Sequence, residues 1–500
     1  MLARARTFAL DGLESTGVSV EVNVRSGLPA FLIVGLGDTA VREARERVRA
    51  AIVNSGFDFP PRRIVANLAP AHLRKEGAGF DLALACATLA ASGQLATAAL
   101  DRWALFGELS LTGEVRACPG TLAAAEAARR LRCRGLVVAR ATAPEAALAE
   151  GLRVAAATSL REVVALLRGA PAPATAPAQP TSSPAEEPDL ADVRGQEMAV
   201  QALAIAAAGD HNLLMYGPPG TGKTMLARRL PSILPPLSRA EALEVTRIHG
   251  IAGEHPGGGL VGARPFRSPH HTISAVGLVG GGARRRPGEA SLAHRGVLFL
   301  DELSEFSRPS LEALRQPLED GRVTIVRGQR AVAYPASFML VAATNPCPCG
   351  LEDEMCRCTE ADFARHRRRL SGPVLDRMDL VVHVGRPKLE RLQAAPSIHS
   401  AEVRERVLTA RERRSARRPD PVGAACGGDR LKWAQPEARA RSALAAAYER
   451  GALSARGHDR VLGVARTIAD LDASPAVRLE HVLQALALRQ DAAFGAQRAA

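Results

Sequence analysis

The sequence predicts an α/β fold with a parallel sheet and helices on both faces in the middle of the chain. Three apolar runs, at residues 212–216, 297–300 and 338–344, alternate with segments of helical periodicity. Strands that alternate with helices in this way form parallel sheets. Because a glycine-rich turn follows the first run, phosphate groups are expected at the carboxyl ends of these strands.

The regions on either side of this sheet have their own character. Residues 18–24 alternate between apolar and polar side chains, which is typical of a half-buried strand, and residues 41–55 have the periodicity of an amphipathic helix. A stretch with six prolines cannot form a core and predicts an extended linker. The end of the chain is helical and rich in Arg and Ala. The predicted units are an N-terminal α/β domain (1–168), the linker (169–188), the sheet-containing domain (189–390) and a helical C-terminal domain (391–500).

The amino-acid composition of the chain indicates which class of partner it binds and in which cellular compartment it works. The formal net charge is +13, which favours a polyanion such as nucleic acid, although a solvated basic surface without a partner remains open. The N-terminus lacks an apolar signal sequence, and the uncharged segment 82–100 is too polar for a membrane span. Eight cysteines in such a chain are expected to be reduced thiols in a cytoplasmic protein that does not bind membranes.

A phosphate-binding loop directly follows the first apolar run. It reads Gly217-Pro218-Pro219-Gly220-Thr221-Gly222-Lys223-Thr224, which is the Walker A pattern. Glycines allow backbone N–H groups to surround phosphate oxygens, and the start of a helix favours negative charge. The lysine is predicted to reach the β- and γ-phosphates and the threonine to ligate Mg²⁺. The expected cofactors are ATP and Mg²⁺.

The second and third apolar runs end in polar side chains suited to hydrolysis. Asp301 and Glu302 follow residues 297–300 in the Walker B form. Asp301 is predicted to hold Mg²⁺, usually through water, and Glu302 to activate the attacking water as general base. Asn345 ends the third run and is predicted to orient that water or contact the γ-phosphate. By itself an Asn-Pro pair after a strand indicates only a turn.

A cluster of cysteines comes just after the third run. Two close pairs separated by a short turn are able to surround a tetrahedral Zn²⁺, and metal binding is favoured over a disulfide in a reducing compartment. The Cys-x-Cys spacing is tighter than the usual Cys-x-x-Cys, so reduced structural or redox-sensitive thiols remain an alternative to structural zinc. The four residues are Cys347, Cys349, Cys356 and Cys358.

Two adjacent histidines, His270 and His271, lie in a glycine-rich segment at residues 246–292. Their spacing does not match that of metal ligands on a helix. A loop that contacts the substrate and a merely exposed pair are equally compatible with the pattern.

Taken together, these motifs resemble an AAA+ ATPase. Residues 265–271 (PFRSPHH), 286–294 (RPGEASLAH) and 370–380 (LSGPVLDRMDL) are similar to the magnesium-chelatase-like branch, and residues 5–490 resemble the YifB/ComM family. That resemblance implies a Lon-protease-like N-terminal domain, an AAA+ core and a helical C-terminal lid domain.

The resemblance also implies further site residues. Arg377 is similar to an arginine finger, which acts across a subunit interface and therefore requires an oligomer. Arg456 resembles the sensor arginine of the lid, with Arg460 as second choice. Gln196 ends a segment that resembles the border of the adenine pocket. A surface charge on a helix is the alternative for Arg377 and Arg456.

Proteolysis is not expected of the N-terminal domain. A Ser/Lys dyad of the Lon type needs a serine in the loop at residues 75–81 and a lysine on the helix at residues 121–132, and neither is present. Without a nucleophile or a base there is no covalent hydrolysis.

A period-two pattern around an Arg-Gly-Gln turn predicts a β-hairpin at residues 322–333. Arg327 and Arg330 near its tip would contact single-stranded or branched DNA in the pore of a hexameric ring, although a hairpin with solubilising charge is the alternative. The preferred function is an ATP-dependent DNA translocase or helicase, associated by resemblance with branch migration in natural transformation. The alternatives are a chelatase motor subunit and a protein-remodelling ATPase.

Overall fold

The computed structural model describes residues 1–35, 37–172, 188–254, 259–282, 285–327, 330–350, 356–370, 374–393, 398–417 and 433–489, together with the backbone of residues 180–181. The side chains of residues 327, 330, 367 and 370 lie outside this description. Among the helices described, none has the length and apolar character needed to cross a membrane.

The N-terminal region forms a seven-stranded sheet in the order β3-β4-β2-β1-β5-β8-β9. The β1–β2 and β2–β4 pairs are antiparallel and the remaining pairs are parallel. Valines alternate with polar residues along β2 and are buried, as the period-two pattern predicts. Two further short strands, β6 and β7, pair with each other in an antiparallel ladder outside this sheet. The strands of the region are β1 (Leu2–Asp11), β2 (Glu14–Arg25), β3 (Ala30–Val34), β4 (Arg63–Ala69), β5 (Trp103–Leu105), β6 (Glu108–Leu109), β7 (Val115–Arg116), β8 (Gly135–Ala139) and β9 (Arg153–Ala157).

Helices pack against this sheet through small and branched apolar side chains. The first begins after Asp38, whose carboxylate accepts a hydrogen bond from the Val41 N–H at 2.9 Å. It occupies Thr39–Asn54, close to the predicted range. Every residue of helix Asp81–Ala91 is buried. The other helices are Thr97–Leu100, Thr121–Arg130, Ala143–Ala147 and Leu160–Leu167, with a 3₁₀ turn at Arg140–Thr142.

The central sheet has five parallel strands in the order β13-β16-β19-β11-β20. The three apolar runs form the middle of the sheet, and the edge strands β13 and β20 complete it. This confirms the predicted parallel sheet. The remaining strands pair in short ladders outside it. The strands are β10 (Pro180–Thr181), β11 (Leu213–Tyr216), β12 (Leu260–Val261), β13 (Phe266–Arg267), β14 (Gly280–Gly281), β15 (Arg286–Pro287), β16 (Val297–Leu300), β17 (Arg322–Arg327), β18 (Arg330–Pro335), β19 (Met339–Thr344) and β20 (Leu380–His383).

Helices cover both faces of the central sheet. One face packs with helices Glu197–Gly209 and Lys223–Ile233 and with the C-terminal helices in a single apolar core. The other face packs against residues such as Leu278, Phe306 and Leu314. Further helices are Arg239–Ala252, Ala275–Val279, Glu289–Leu292, Arg308–Ala313, Arg315–Asp320, Glu360–Leu370, Leu389–Leu392, Ser400–Arg417, Ala438–Glu449, Ala455–Leu471 and Leu479–Ala487, with 3₁₀ turns at Leu190–Asp192, Leu303–Glu305 and Leu375–Arg377.

The N-terminal region contacts the central region through helix Arg239–Ala252. The Gly120 N–H donates to the Gly250 carbonyl at 3.0 Å, and Arg247 pairs with Glu126 at 2.6 Å. Leu122 and Leu148 pack with Ala242 and Leu260. The predicted boundaries at residues 168, 188 and 390 stay predictions.

A buried carboxyl group beside this contact makes stability depend on pH. The Glu145 side chain is buried and accepts the Leu122 N–H at 2.9 Å; burial raises its pKa to about 7 from 4.5. The folded state therefore binds the proton more tightly than the unfolded state, so the contribution of Glu145 to stability is present below pH 4.5 and is lost as the pH rises through 7. The loss is on the order of 3 kcal/mol.

We expect Glu145→Gln to remove this dependence, because glutamine keeps the acceptor for the Leu122 N–H without a charge to bury. Thermal unfolding of the variant and the wild type at pH 5 and pH 8 checks it. The variant should be the more stable protein at pH 8 only. An equal stability difference at both pH values would contradict the assignment.

Candidate nucleotide-binding site

The predicted phosphate-binding loop connects β11 to helix Lys223–Ile233. Gly222 has a φ of 94°, which favours glycine, and it precedes the first residue of the helix. A Cβ atom on Gly217 would lie 2.1 Å from the Val384 carbonyl oxygen, so a side chain is excluded there. The loop therefore has the backbone that phosphate cradling requires, with its N–H groups at a helix start.

The side chains predicted for phosphate and Mg²⁺ lie close together. The Lys223 ammonium is buried and donates to the Gly217 carbonyl at 2.6 Å and to Asn345 Oδ1 at 3.3 Å. The Thr224 hydroxyl donates to Asp301 Oδ2 at 2.7 Å. Because a cation, a hydroxyl and a carboxylate converge on the loop, the donor set fits a Mg²⁺–triphosphate group.

Glu302 occupies a strained backbone conformation at the end of β16. Its φ of 53° and ψ of 52° lie in the left-handed region, which is uncommon for a residue with a side chain. The carboxylate is more than half exposed and lies 3.4 Å from His271 Nδ1. The sequence left open whether the His270–His271 pair contacts the substrate or is merely exposed; the structure places His271 against the predicted general base, because β13 lies beside β16.

Asn345 is fixed by a histidine that the sequence did not single out. His366 is buried on helix Glu360–Leu370 and its Nε2 lies 3.0 Å from the Asn345 carbonyl oxygen. Burial lowers the pKa of His366, so the neutral ring donates this hydrogen bond. No local motif marks the contact, because the two residues are separated by 21 positions.

Gln196 lies next to the phosphate-binding loop. Its side-chain amide donates to the Gly385 carbonyl at 2.8 Å and to the Thr221 carbonyl at 3.4 Å. The amide therefore joins helix Glu197–Gly209 and the end of β20 to the loop. This position is compatible with the predicted border of the nucleotide pocket.

The predicted arginine finger and lid arginines lie at the opposite edge of the sheet, which is the side where the parallel strands begin. Leu213 of β11 pairs with Leu380 of β20, so Arg377 precedes β20 while the phosphate-binding loop follows β11. Four residues of parallel strand separate these edges by about 13 Å. Arg377 is buried and forms an ion pair with Glu319. The structure therefore does not bring Arg377 to the phosphate-binding loop of its own chain.

The two lid arginines accompany Arg377. Arg456 Nη1 lies 3.9 Å from the Glu319 carboxylate, and the Arg456 side chain is 73% exposed. Arg460 donates to the Arg377 carbonyl at 2.7 Å and pairs with Asp379 at 2.5 Å. All three guanidinium groups thus belong to one cluster at the far edge of the sheet.

The four clustered cysteines have the geometry of a tetrahedral metal site. Their sulfur atoms all lie within 4.8 Å of one another, and three of the separations are 3.2, 3.6 and 3.7 Å. Zn–S bonds of about 2.3 Å in a tetrahedron place sulfur atoms about 3.8 Å apart, so the set fits zinc. A Cβ atom on Gly350 would lie 3.1 Å from Pro219, so this loop packs directly on the phosphate-binding loop.

The side chains of Arg327 and Arg330 lie outside the described residues. Their backbones pair across the predicted hairpin, which is formed by β17 and β18. Lys75, in the loop where a protease would need its serine, is buried, and its amine donates to the Pro70 carbonyl. The absence of proteolysis stays a prediction.

Comparisons with known proteins show which family this chain resembles. Residues 189–392 match the family described as magnesium chelatase, subunit ChlI; residues 20–142 match subunit ChlI of Mg-chelatase; and residues 397–489 match the ChlI C-terminal family. YifB of Escherichia coli is 43% identical, covering 98% of this chain and 97% of its own. Competence protein ComM of Haemophilus influenzae is 41% identical, covering 96% and 95%. The chain belongs to the YifB/ComM family.

This membership confirms the resemblance drawn from the motifs, and it indicates that the chain is a magnesium-chelatase-like AAA+ ATPase. Lon protease 2 of Bacillus subtilis is a more distant relative of the YifB/ComM chain, 27% identical over 37% of it and 38% of the protease. ATP and Mg²⁺ are the cofactors that fit such a core.

Proposed function

We propose that this YifB/ComM protein is the ATP-hydrolysing subunit of a hexameric ring that moves along DNA and promotes branch migration during recombination in natural transformation. The observation that carries the proposal is the division of the catalytic groups between two edges of one sheet. Lys223, Asp301 and Asn345 converge at one edge, and Arg377 lies at the other.

Such a division favours a ring. Because Arg377 precedes β20 while the phosphate-binding loop of its own chain follows β11, Arg377 is suited to a γ-phosphate held by a neighbouring chain. Arg456 is exposed beside Arg377 and would enter the same composite site. Head-to-tail contacts between identical subunits close into rings when the rotation closes.

DNA is the partner that charge and relationship favour. The net charge of +13 suits a polyanion, and a relative covering 96% of the chain carries the name competence protein. Scarce aromatics, 3% of residues, favour contact with the phosphate backbone over base stacking. Arg327 and Arg330 on the hairpin are proposed to contact the strand.

The test is ATP hydrolysis and strand displacement by the purified protein on forked and four-way DNA junctions with Mg²⁺. We expect DNA to stimulate ATP hydrolysis, and we expect the protein to displace strands from the junctions. If a preparation that hydrolyses ATP shows neither effect, the DNA function is rejected. Unfolding of a protein substrate without DNA dependence would instead favour the remodelling alternative.

A chelatase motor remains the second candidate, because each matched family is described by the ChlI subunit. The N-terminal domain does not exclude it, since residues 20–142 also match. However, the Magnesium-chelatase 67 kDa subunit of Heliobacterium mobile matches only 33% of the chain, whereas YifB and ComM match nearly all of it. Metal insertion into a porphyrin by the purified protein would favour the chelatase.

The cysteine cluster is proposed to bind one structural Zn²⁺. Four thiolates complete a tetrahedral shell and leave no open position for catalysis. The bound metal would hold the chain after Asn345 against Pro219 of the phosphate-binding loop.

We expect about one zinc per chain in the wild type and its loss in Cys347→Ser, because three thiolates and a serine hold zinc weakly. Metal content by plasma mass spectrometry checks this. Cys133→Ser is the matched control, since Cys133 lies outside the cluster. A wild-type protein without stoichiometric zinc would exclude the site.

A further inference from the structure

An open groove rich in arginine lies beside the hydrolytic residues. Its volume is about 750 Å³, and the 3₁₀ turn Leu303–Glu305 with the start of helix Arg308–Ala313 forms one wall. Helix Glu360–Leu370 forms the other wall. The first wall directly follows Glu302, and the second carries His366. Both walls are therefore joined to the site that hydrolyses ATP.

The charge of the groove is strongly positive. Four arginines and one carboxylate, that of Glu305, are found among the described residues that line it; the arginines are Arg308, Arg365, Arg368 and Arg369. Residues 365, 368 and 369 project from one side of the helix, because positions three and four apart share a face. Arg365 is 73% exposed and Arg369 is 58% exposed. The ion pairs that these two guanidinium groups form with described residues are weak: Arg365 lies 3.7 Å from Asp362, and Arg369 lies 3.6 Å from Glu305.

Serine hydroxyl groups complete the lining. Ser304 and Ser307 border the same groove; the Ser304 hydroxyl donates to the Glu305 carboxylate at 3.2 Å, and the Ser307 hydroxyl accepts the Ser310 N–H at 3.3 Å. The guanidinium donors match phosphate oxygens, and among the described residues that line the groove the aromatic ring of Phe306 is buried. The chemistry of the groove suits the backbone of a nucleic acid and not its bases.

Both walls of the groove also contact the predicted catalytic residues. The helix that carries Arg365 and Arg368 places His366 against the Asn345 carbonyl at 3.0 Å. The facing wall begins one residue after Glu302, and the Glu305 N–H donates to the Glu302 carbonyl at 2.8 Å. A phosphate chain that draws the two walls together would therefore act on both the predicted general base and the sensor asparagine.

We propose that this arginine groove binds the phosphate backbone of a DNA strand and that its occupation stimulates ATP hydrolysis through Asn345 and Glu302. The inference rests on the proposed DNA function. It adds a strand-binding surface at the nucleotide site, separate from Arg327 and Arg330 on the hairpin.

The test compares R365A/R368A with R439A/R450A, which removes the same charge from exposed positions on and just after helix Ala438–Glu449. Binding of a fluorescein-labelled oligothymidylate is followed by anisotropy as KCl rises from about 50 to 200 mM. We expect the groove variant to bind about tenfold more weakly and to lose about 0.7 from the salt slope for each phosphate contact removed. Stimulation of ATP hydrolysis by the oligonucleotide should fall with it, while the control variant behaves as the wild type.

Each other outcome has a distinct meaning. Equal affinity and equal salt slope in the groove variant and the wild type would overturn the groove while leaving the DNA function standing. A wild type that binds no DNA would overturn both. Loss of ring assembly in R365A/R368A alone, measured by mass photometry, would assign the groove to a subunit interface and overturn its role in binding DNA.

Discussion

Glu302→Gln is expected to lower the rate of ATP hydrolysis by about 10²- to 10⁴-fold and to leave ATP binding intact, because a general base contributes a factor of this size. Glutamine has nearly the same shape but cannot accept the proton of the attacking water. The side chains predicted to bind the phosphates and Mg²⁺ are those of Lys223, Thr224 and Asp301, and the Glu302 carboxylate is not among them. Binding of a fluorescent ATP analogue and release of phosphate, measured on the same preparation, separate the two effects.

The matched control is Lys223→Ala, which removes the ammonium from the phosphate-binding loop. This variant should bind ATP weakly, so its main defect should be a higher dissociation constant for ATP and not a slower hydrolysis of bound ATP. Normal hydrolysis by Glu302→Gln would show that Glu302 is not the base. Weak binding by Glu302→Gln would instead place Glu302 in the ligand shell of Mg²⁺.

The parts of the fold that the sequence predicted are those with strong local patterns. The apolar runs at 297–300 and 338–344 contain β16 and β19, and the buried valines of β2 follow their alternation. The edge strand Phe266–Arg267 has only two residues, and Leu380–His383 has three apolar residues before a histidine. Such short runs carry no periodic signal, so their places in the sheet depend on tertiary pairing.

The candidate site divides in the same way. Lys223, Asp301 and Glu302 were recognised because each follows an apolar strand within a motif. His366 was missed, since its contact with Asn345 is made by a helix beyond the cysteine cluster. The position of Arg456 beside Glu319 was also outside the reach of the sequence, because it depends on how the C-terminal helices dock on the central sheet.

Arg377→Ala is expected to lower kcat by about 10³- to 10⁵-fold, the effect of removing an arginine finger. In the isolated chain Glu319 holds the Arg377 guanidinium at the edge of the sheet opposite the phosphate-binding loop. A finger that acts on a neighbouring γ-phosphate must exchange this carboxylate for the phosphate. The structure therefore predicts that the defect belongs to the adjacent subunit and not to the chain that carries the substitution.

Mixed rings test this directly. Arg377→Ala keeps an intact phosphate-binding loop, and Lys223→Ala keeps an intact finger. A site that combines the loop of the first variant with the finger of the second is therefore complete, whereas the reverse orientation is not. Co-expression of both variants with different affinity tags should restore activity in about a quarter of the sites of randomly mixed rings. Misfolding of either variant cannot produce this recovery, because both must assemble. Doubly tagged rings that stay inactive would place the action of Arg377 within its own chain. In control rings of wild type mixed with the Lys223→Ala, Arg377→Ala double variant, action across the interface should leave about a quarter of the sites active, whereas action within one chain would leave about a half.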